Sequence, residues 1–89
     1  MSLIAAHYSI GTVATLVVPA SDRIQQATLH NHEHSSNHDI YVNGPGVTIN
    51  NGLHLPDTET IQFNVAAGDS IWAISDTTGN ALHVLVTRL

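Results

Sequence analysis

Thr60-Ile61-Gln62-Phe63-Asn64-Val65 alternates polar and apolar residues without a break, and Ala66-Ala67-Gly68-Asp69 turns the chain before Ser70-Ile71-Trp72-Ala73-Ile74-Ser75 begins. Period-two alternation is the pattern of a half-buried strand, because successive side chains point to opposite faces. Ile61, Phe63 and Val65 are expected inward, with Thr60, Gln62 and Asn64 outward. In the following run Ile71 and Ala73 oppose Trp72 and Ile74. Short strands separated by turn chemistry are the pattern of an antiparallel fold, and the rest of the chain reads as more of the same, with strand order left open.

Towards the N-terminus, Gly11 to Val18 sets Val13, Thr15 and Val17 against Thr12, Ala14 and Leu16, and Pro19 with Ala20-Ser21-Asp22 ends that run. Ile24 to His32 and His38 to Val42 follow, the latter with Ile40 and Val42 on one face. Asn43-Gly44-Pro45-Gly46 breaks the chain, Val47-Thr48-Ile49 resumes it, and Asn50-Asn51-Gly52 reads as a tight turn using positive φ. Leu53 to Leu55 is closed by Pro56-Asp57, and Ala81 to Leu89 ends the sequence with apolar residues on both faces, as in a central or interface strand. No window repeats apolar residues at helical spacing. The expectation is an all-β fold: a small antiparallel β-sandwich or barrel of seven to eight short strands. Residues 1–89 form one domain, with 1–10 either an N-terminal arm or its first strand.

Val, Ile and Thr supply 25 of the 89 residues, which reinforces the strand reading. Two arginines, no lysine and seven acids leave a formal charge of −5, so no nucleic-acid partner is expected. No apolar run exceeds four residues, as in Leu3 to Ala6, so no membrane-spanning helix is expected. No basic residue precedes that run, and a signal peptide is not expected. The absence of cysteine removes disulfides, thiolate metal sites and Cys nucleophiles. Charged residues are 10%, against about 25% in ordinary domains, and a sparsely charged small surface suits contact with other protein.

The residues with chemical potential are the histidines. His30, His32, His34 and His38 fall within nine residues, and on a strand His30, His32 and His34 share a face. His-x-His with Asp39 brushes the cupin pattern, and a further ligand would have to come from His54 or His83. A small cupin-like metalloenzyme is the reading this permits. Ser35-Ser36-Asn37 argues instead for a polar hairpin tip without a metal, cofactor or catalytic site. Seven imidazoles of ordinary pKa move the formal charge from −5 towards about +2 near pH 5. Asp57 and Glu59 flank Thr58 in a turn and read as solvated. Trp72 is expected as a core or interface anchor, and with Tyr41 it is a minor candidate for stacking on a carbohydrate. No Gly-x-Ser-x-Gly elbow is present, and no enzyme is expected.

Three stretches carry a resemblance. They are Leu29-His30-Asn31 leading to Ile40-Tyr41-Val42-Asn43-Gly44-Pro45-Gly46-Val47-Thr48; Asn51-Gly52-Leu53-His54-Leu55; and Ile61-Gln62-Phe63-Asn64-Val65 with Gly68-Asp69-Ser70-Ile71-Trp72-Ala73-Ile74-Ser75. Their order and spacing, from about Thr12 to Arg88, resemble the small all-β head proteins of tailed bacteriophages, especially those of actinobacteria. The histidine-rich stretch departs from the small polar residues usual there. The resemblance implies a capsid decoration (cement) or minor capsid protein on the virion surface. It would be a homo-oligomer, with a trimer favoured, and its partner would be the major capsid protein. A tail-tip or fibre-associated host-binding module is the alternative it leaves open.

Overall fold

A computed structural model describes residues 2–33 and 38–89. Eight strands follow one another: β1 (Ser2–Ile10), β2 (Thr15–Val18), β3 (Gln25–Asn31), β4 (Ile40–Asn43), β5 (Leu53–Leu55), β6 (Thr60–Val65), β7 (Ile71–Ser75) and β8 (Asn80–Arg88). They form two four-stranded antiparallel sheets, a front sheet in the order β1-β8-β3-β6 and a back sheet in the order β2-β7-β4-β5. Among the described residues there is no helix. The all-β class and the strand count agree with the sequence.

The core lies between the sheets. Leu29, Leu82, Val84 and Val65 from the front meet Ile40, Leu55, Ala73 and Val17 from the back. β8 is the centre of the front sheet, bonded to β1 on one side and β3 on the other, so its apolar residues follow from its position. Ser2–Ile10 pairs with β8 along its whole length, which makes it the first strand and not an arm.

The backbone ladder also fixes which edges remain open. Leu89 donates to the Ile24 carbonyl (2.9 Å) and His32 to the Ala81 carbonyl (2.9 Å). Hydrogen-bonded and non-hydrogen-bonded pairs alternate along an antiparallel ladder. The odd residues of β8 therefore bond β3, and its even residues bond β1. By the same alternation Ile4, Ala6, Tyr8 and Ile10 bond β8, while the N–H and C=O groups of Leu3, Ala5, His7 and Ser9 point away from it.

Three local expectations are corrected. Gly11 to Val18 is not one strand: only Thr15–Val18 pairs, with a bulge between Leu16 and Val18, and Val13 is 77% exposed in the preceding turn. Val47-Thr48-Ile49 is a loop, because side chains capture its backbone. Asn51 Oδ1 accepts from the Thr48 amide (2.7 Å), and the Asn51 and Gly52 amides donate back to the Thr48 carbonyl (3.3 and 3.0 Å). Gly52 is not in the positive-φ region. Its need is space, since a Cβ there would lie 2.7 Å from Tyr41 Cβ.

Candidate interaction surfaces

β3 belongs to the front sheet and β4 to the back sheet, so the two do not form a hairpin, and the Ser35-Ser36-Asn37 turn expected between them lies outside the described residues. That placement scatters the histidines read as a cluster. His30 and His32 stay on the outer face of the front sheet, His38 turns to the end of the sandwich, and His34 lies outside the described residues. His38 Nδ1 donates to Asn80 Oδ1 (2.7 Å) and sits 3.6 Å from Glu33 Oε1. Asp39 pairs with His54 Nε2 at 3.0 Å on the back sheet.

Two buried asparagines bond to described residues between β3 and β4. Asn31 Nδ2 donates to the carbonyls of His38 (2.8 Å) and Leu55 (3.0 Å), and its Oδ1 accepts from the Glu33 amide (3.2 Å). Asn80 Nδ2 donates to the Ile10 carbonyl (3.1 Å) and to Ser75 Oγ (2.9 Å). Every buried polar side-chain atom among the described residues has a partner.

The front face does gather histidines, though a different set. His7 on β1 faces His83 on β8, which in turn faces His30 on β3. His7 and His83 form a non-hydrogen-bonded pair, the closer of the two kinds, and their rings stack at 3.8 Å and 9°. His32 stacks on His83 at 4.3 Å and 20°, and His30 lies beside both, its Nδ1 2.9 Å from Thr60 Oγ1. Burial, then His7, His32 and His30, lower the His83 pKa from its ordinary value. Stacked rings present π faces to one another rather than converging nitrogens. Among the described residues no group of three or more His, Asp or Glu is placed to hold a metal. His83 was within reach of sequence reasoning as a distant partner for His30; His7 was not.

The back sheet shows an aromatic outer face. Tyr41 stacks on His54 at 5.1 Å and faces Ile74, while Trp72 lies between Leu16 and Asn43. Trp72 is therefore half-buried on the outside and not in the core, with its Nε1 donating to Ser70 Oγ (3.1 Å). Burial, with the Asp39 and Asp76 carboxylates, raises the Tyr41 pKa. A concavity of about 360 Å³ between the β4–β5 loop, β6 and β7 is lined by one titratable side chain, Asp69. No histidine lines it; a shallower concavity of about 190 Å³ lies over His7, His30 and His83 on the outer face of the front sheet. Asp57 and Glu59 sit in the β5–β6 turn as expected.

No family model matches the chain, and no curated protein matches it. A solved structure from work on Bacillus endospore appendages, described as a novel family of disulfide-linked pili, is similar in fold. The similarity has a TM-score of 0.66 at 8% identity and covers 99% of this chain and 86% of that one. The likeness is one of fold alone, and a chain without cysteine has no means of disulfide linkage.

Proposed function

We propose that this chain is a non-catalytic structural module of an external protein assembly: a capsid decoration protein seated on the outside of a major capsid shell, where it stabilises contacts between capsomers. The observation that carries the reading is a number of exposed large apolar side chains on a domain with little charge. Leu3, Val13 and Leu53 are 68%, 77% and 60% exposed on a domain with two basic and seven acidic residues. Isolated exposed apolar residues are ordinary, but a small sandwich this poor in charge is poorly protected as a free monomer. The pilus protein of similar fold is a precedent for the architecture as a building block. The test is cosedimentation of untagged protein with assembled shells, followed by electron microscopy of labelled particles. Saturable binding to the shell is expected; no binding contradicts the reading.

The aromatic back face favours a second reading. Tyr41, His54 and Trp72 on one exposed sheet surface would suit a host-contact module at a tail tip or fibre. Label on the tail instead of the head would establish that alternative.

A further inference from the structure

We propose that the free edge of β1 pairs antiparallel with β1 of a second copy of this chain, about a twofold axis at Ala6, making one eight-stranded sheet from two front sheets. The inference deepens the assembly reading by naming the partner of one surface, and it can stand or fail separately.

An open edge presents a row of unpaired backbone groups, and another strand satisfies them. On β1 these belong to Leu3, Ala5, His7 and Ser9, and no described residue bonds their backbone at that edge. The other three edges are guarded. β2 is four residues long, bulged, and followed by Pro19. β5 is three residues long and followed by Pro56. β6 runs between Asp57 and Glu59 on one side and Asp69 on the other. By contrast β1 has nine residues in unbroken register and contains no Pro, Lys, Arg, Asp or Glu.

Charge distribution selects a second copy as the occupant. Residues 1–21 contain no Asp, Glu, Lys or Arg, so both β1 and β2, the walls beside this edge, are uncharged apart from His7. The acids lie elsewhere, so two copies meet along β1 without repulsion between carboxylates. The edge also has room. Ile4 is 40% exposed, and a groove of about 140 Å³ runs past Ile4, Ala6 and Tyr8 to Val17 and Pro19, with Arg88 as its one charged side chain.

The sequence of β1 complements itself in one register. Centring the pair on Ala6 joins Leu3 to Ser9 and Ala5 to His7 of the other copy, and uses the outward N–H and C=O of all four residues. A shift of the centre to His7 sets Leu3 against Gly11, beyond the strand, and a shift to Ala5 sets Ser9 against Met1, outside the described residues. On the inner face the Ala6 register sets Ile4 against Tyr8, an aromatic–β-branched pair of the favoured kind, on both sides of a small Ala–Ala contact. Alanine suits the axis, where the Cα atoms of a non-hydrogen-bonded pair approach to about 4.5 Å. The contact is isologous and closes on itself, so it generates pairs.

The test is solution mass by sedimentation, combined with cysteine cross-linking in a chain that has no native cysteine. The native chain is expected at twice its monomer mass or an even multiple. Ala5→Pro, which removes only an outward N–H and leaves the β8 ladder intact, is expected to lose that mass with an unchanged circular dichroism spectrum. Ala6→Cys is expected to oxidise to a covalent dimer much faster than Ala66→Cys on the exposed β6–β7 turn, a readout that does not depend on Ala5→Pro folding. A monomer at the highest soluble concentration, a trimer, or equal cross-linking rates at the two positions would overturn the pairing. Shell binding by a monomer would leave the decoration role standing without it; a dimer that ignores shells would do the reverse.

Discussion

β1 and β6 are the two edges of the same four-stranded sheet, and they are built differently. The outward backbone groups of β6 belong to Thr60, Gln62 and Asn64, in a six-residue strand set between acids. Those of β1 belong to Leu3, Ala5, His7 and Ser9, in a nine-residue strand without a formal charge. Each edge strand is tied in near a buried asparagine. Asn80 reaches the Ile10 carbonyl at the end of β1, and the Asn31 backbone bonds Glu59 and Thr58 just before β6. Both edges are thus anchored to one core, and they differ in what they offer outside it. In a small sheet, protection of an edge is a local property of a few residues, separable from the packing that makes the strand.

The largest effect should come from the residue common to both halves. Leu29 is fully buried and faces Val84 on β8 and Ile61 on β6. Leu29→Ala is expected to cost about 2–5 kcal/mol in chemical unfolding, with one transition reported by both edges. Two separate transitions would show that the edges are not one cooperative unit. Asn80→Ala removes the tie to Ile10 and leaves His38 without its acceptor. A loss of about 1–3 kcal/mol is expected, with faster amide exchange at the Ile10 end of β1 than in β6. In the back sheet, Gly52→Ala puts a methyl 2.7 Å from Tyr41 Cβ on the adjacent strand β4, and is expected to cost about 1–3 kcal/mol without changing association.

Acid sharpens the contrast further, because His83 sits at the centre of the sheet, between His7 on β1 and His30 on β3. Its pKa is lowered by burial first and then by the neighbouring imidazoles, so the unfolded chain takes up that proton more readily than the folded one. Its contribution is full above the unfolded value of about 6.5, and is lost as pH falls through that value towards the lower folded one. Unfolding midpoints should fall from pH 7 to pH 5.5, and His83→Asn should flatten that slope. A variant with the native slope would remove His83 from the explanation. The smallest effect belongs to the guarded edge: Gln62→Lys on β6 is expected within about 0.5 kcal/mol of the native chain, with unchanged mass.

Much of this architecture was legible in the sequence, for identifiable reasons. Thr60–Val65 reads as a strand because its alternation coincides with real burial of one face, and the apolar residues on both faces of β8 announce its central place. The same rule failed at Gly11 to Val18, where Val13 continues the alternation through a turn it does not bury. It failed at Val47 to Ile49, where Asn51 offers the backbone a local alternative to pairing. The histidine ladder was only half visible. His30 and His32 announce themselves as i and i+2, but their union with His7 and His83 depends on strand order and register, which alternation does not encode. The open edge was hidden for the same reason: Leu3 to Ile10 reads as apolar, and only the sheet order shows which side of it lacks a partner.

The most direct test of the contrast is amide hydrogen exchange along β1 at low and high protein concentration. The amides of Ile4, Ala6, Tyr8 and Ile10 should be protected at both, since they bond β8. Those of Leu3, Ala5, His7 and Ser9 should exchange freely when dilute and become protected on concentration, while Thr60, Gln62 and Asn64 on β6 stay unprotected throughout. If the odd β1 amides remain as exposed at high concentration as the β6 edge, β1 is an open edge that nothing fills, and the pairing account is wrong.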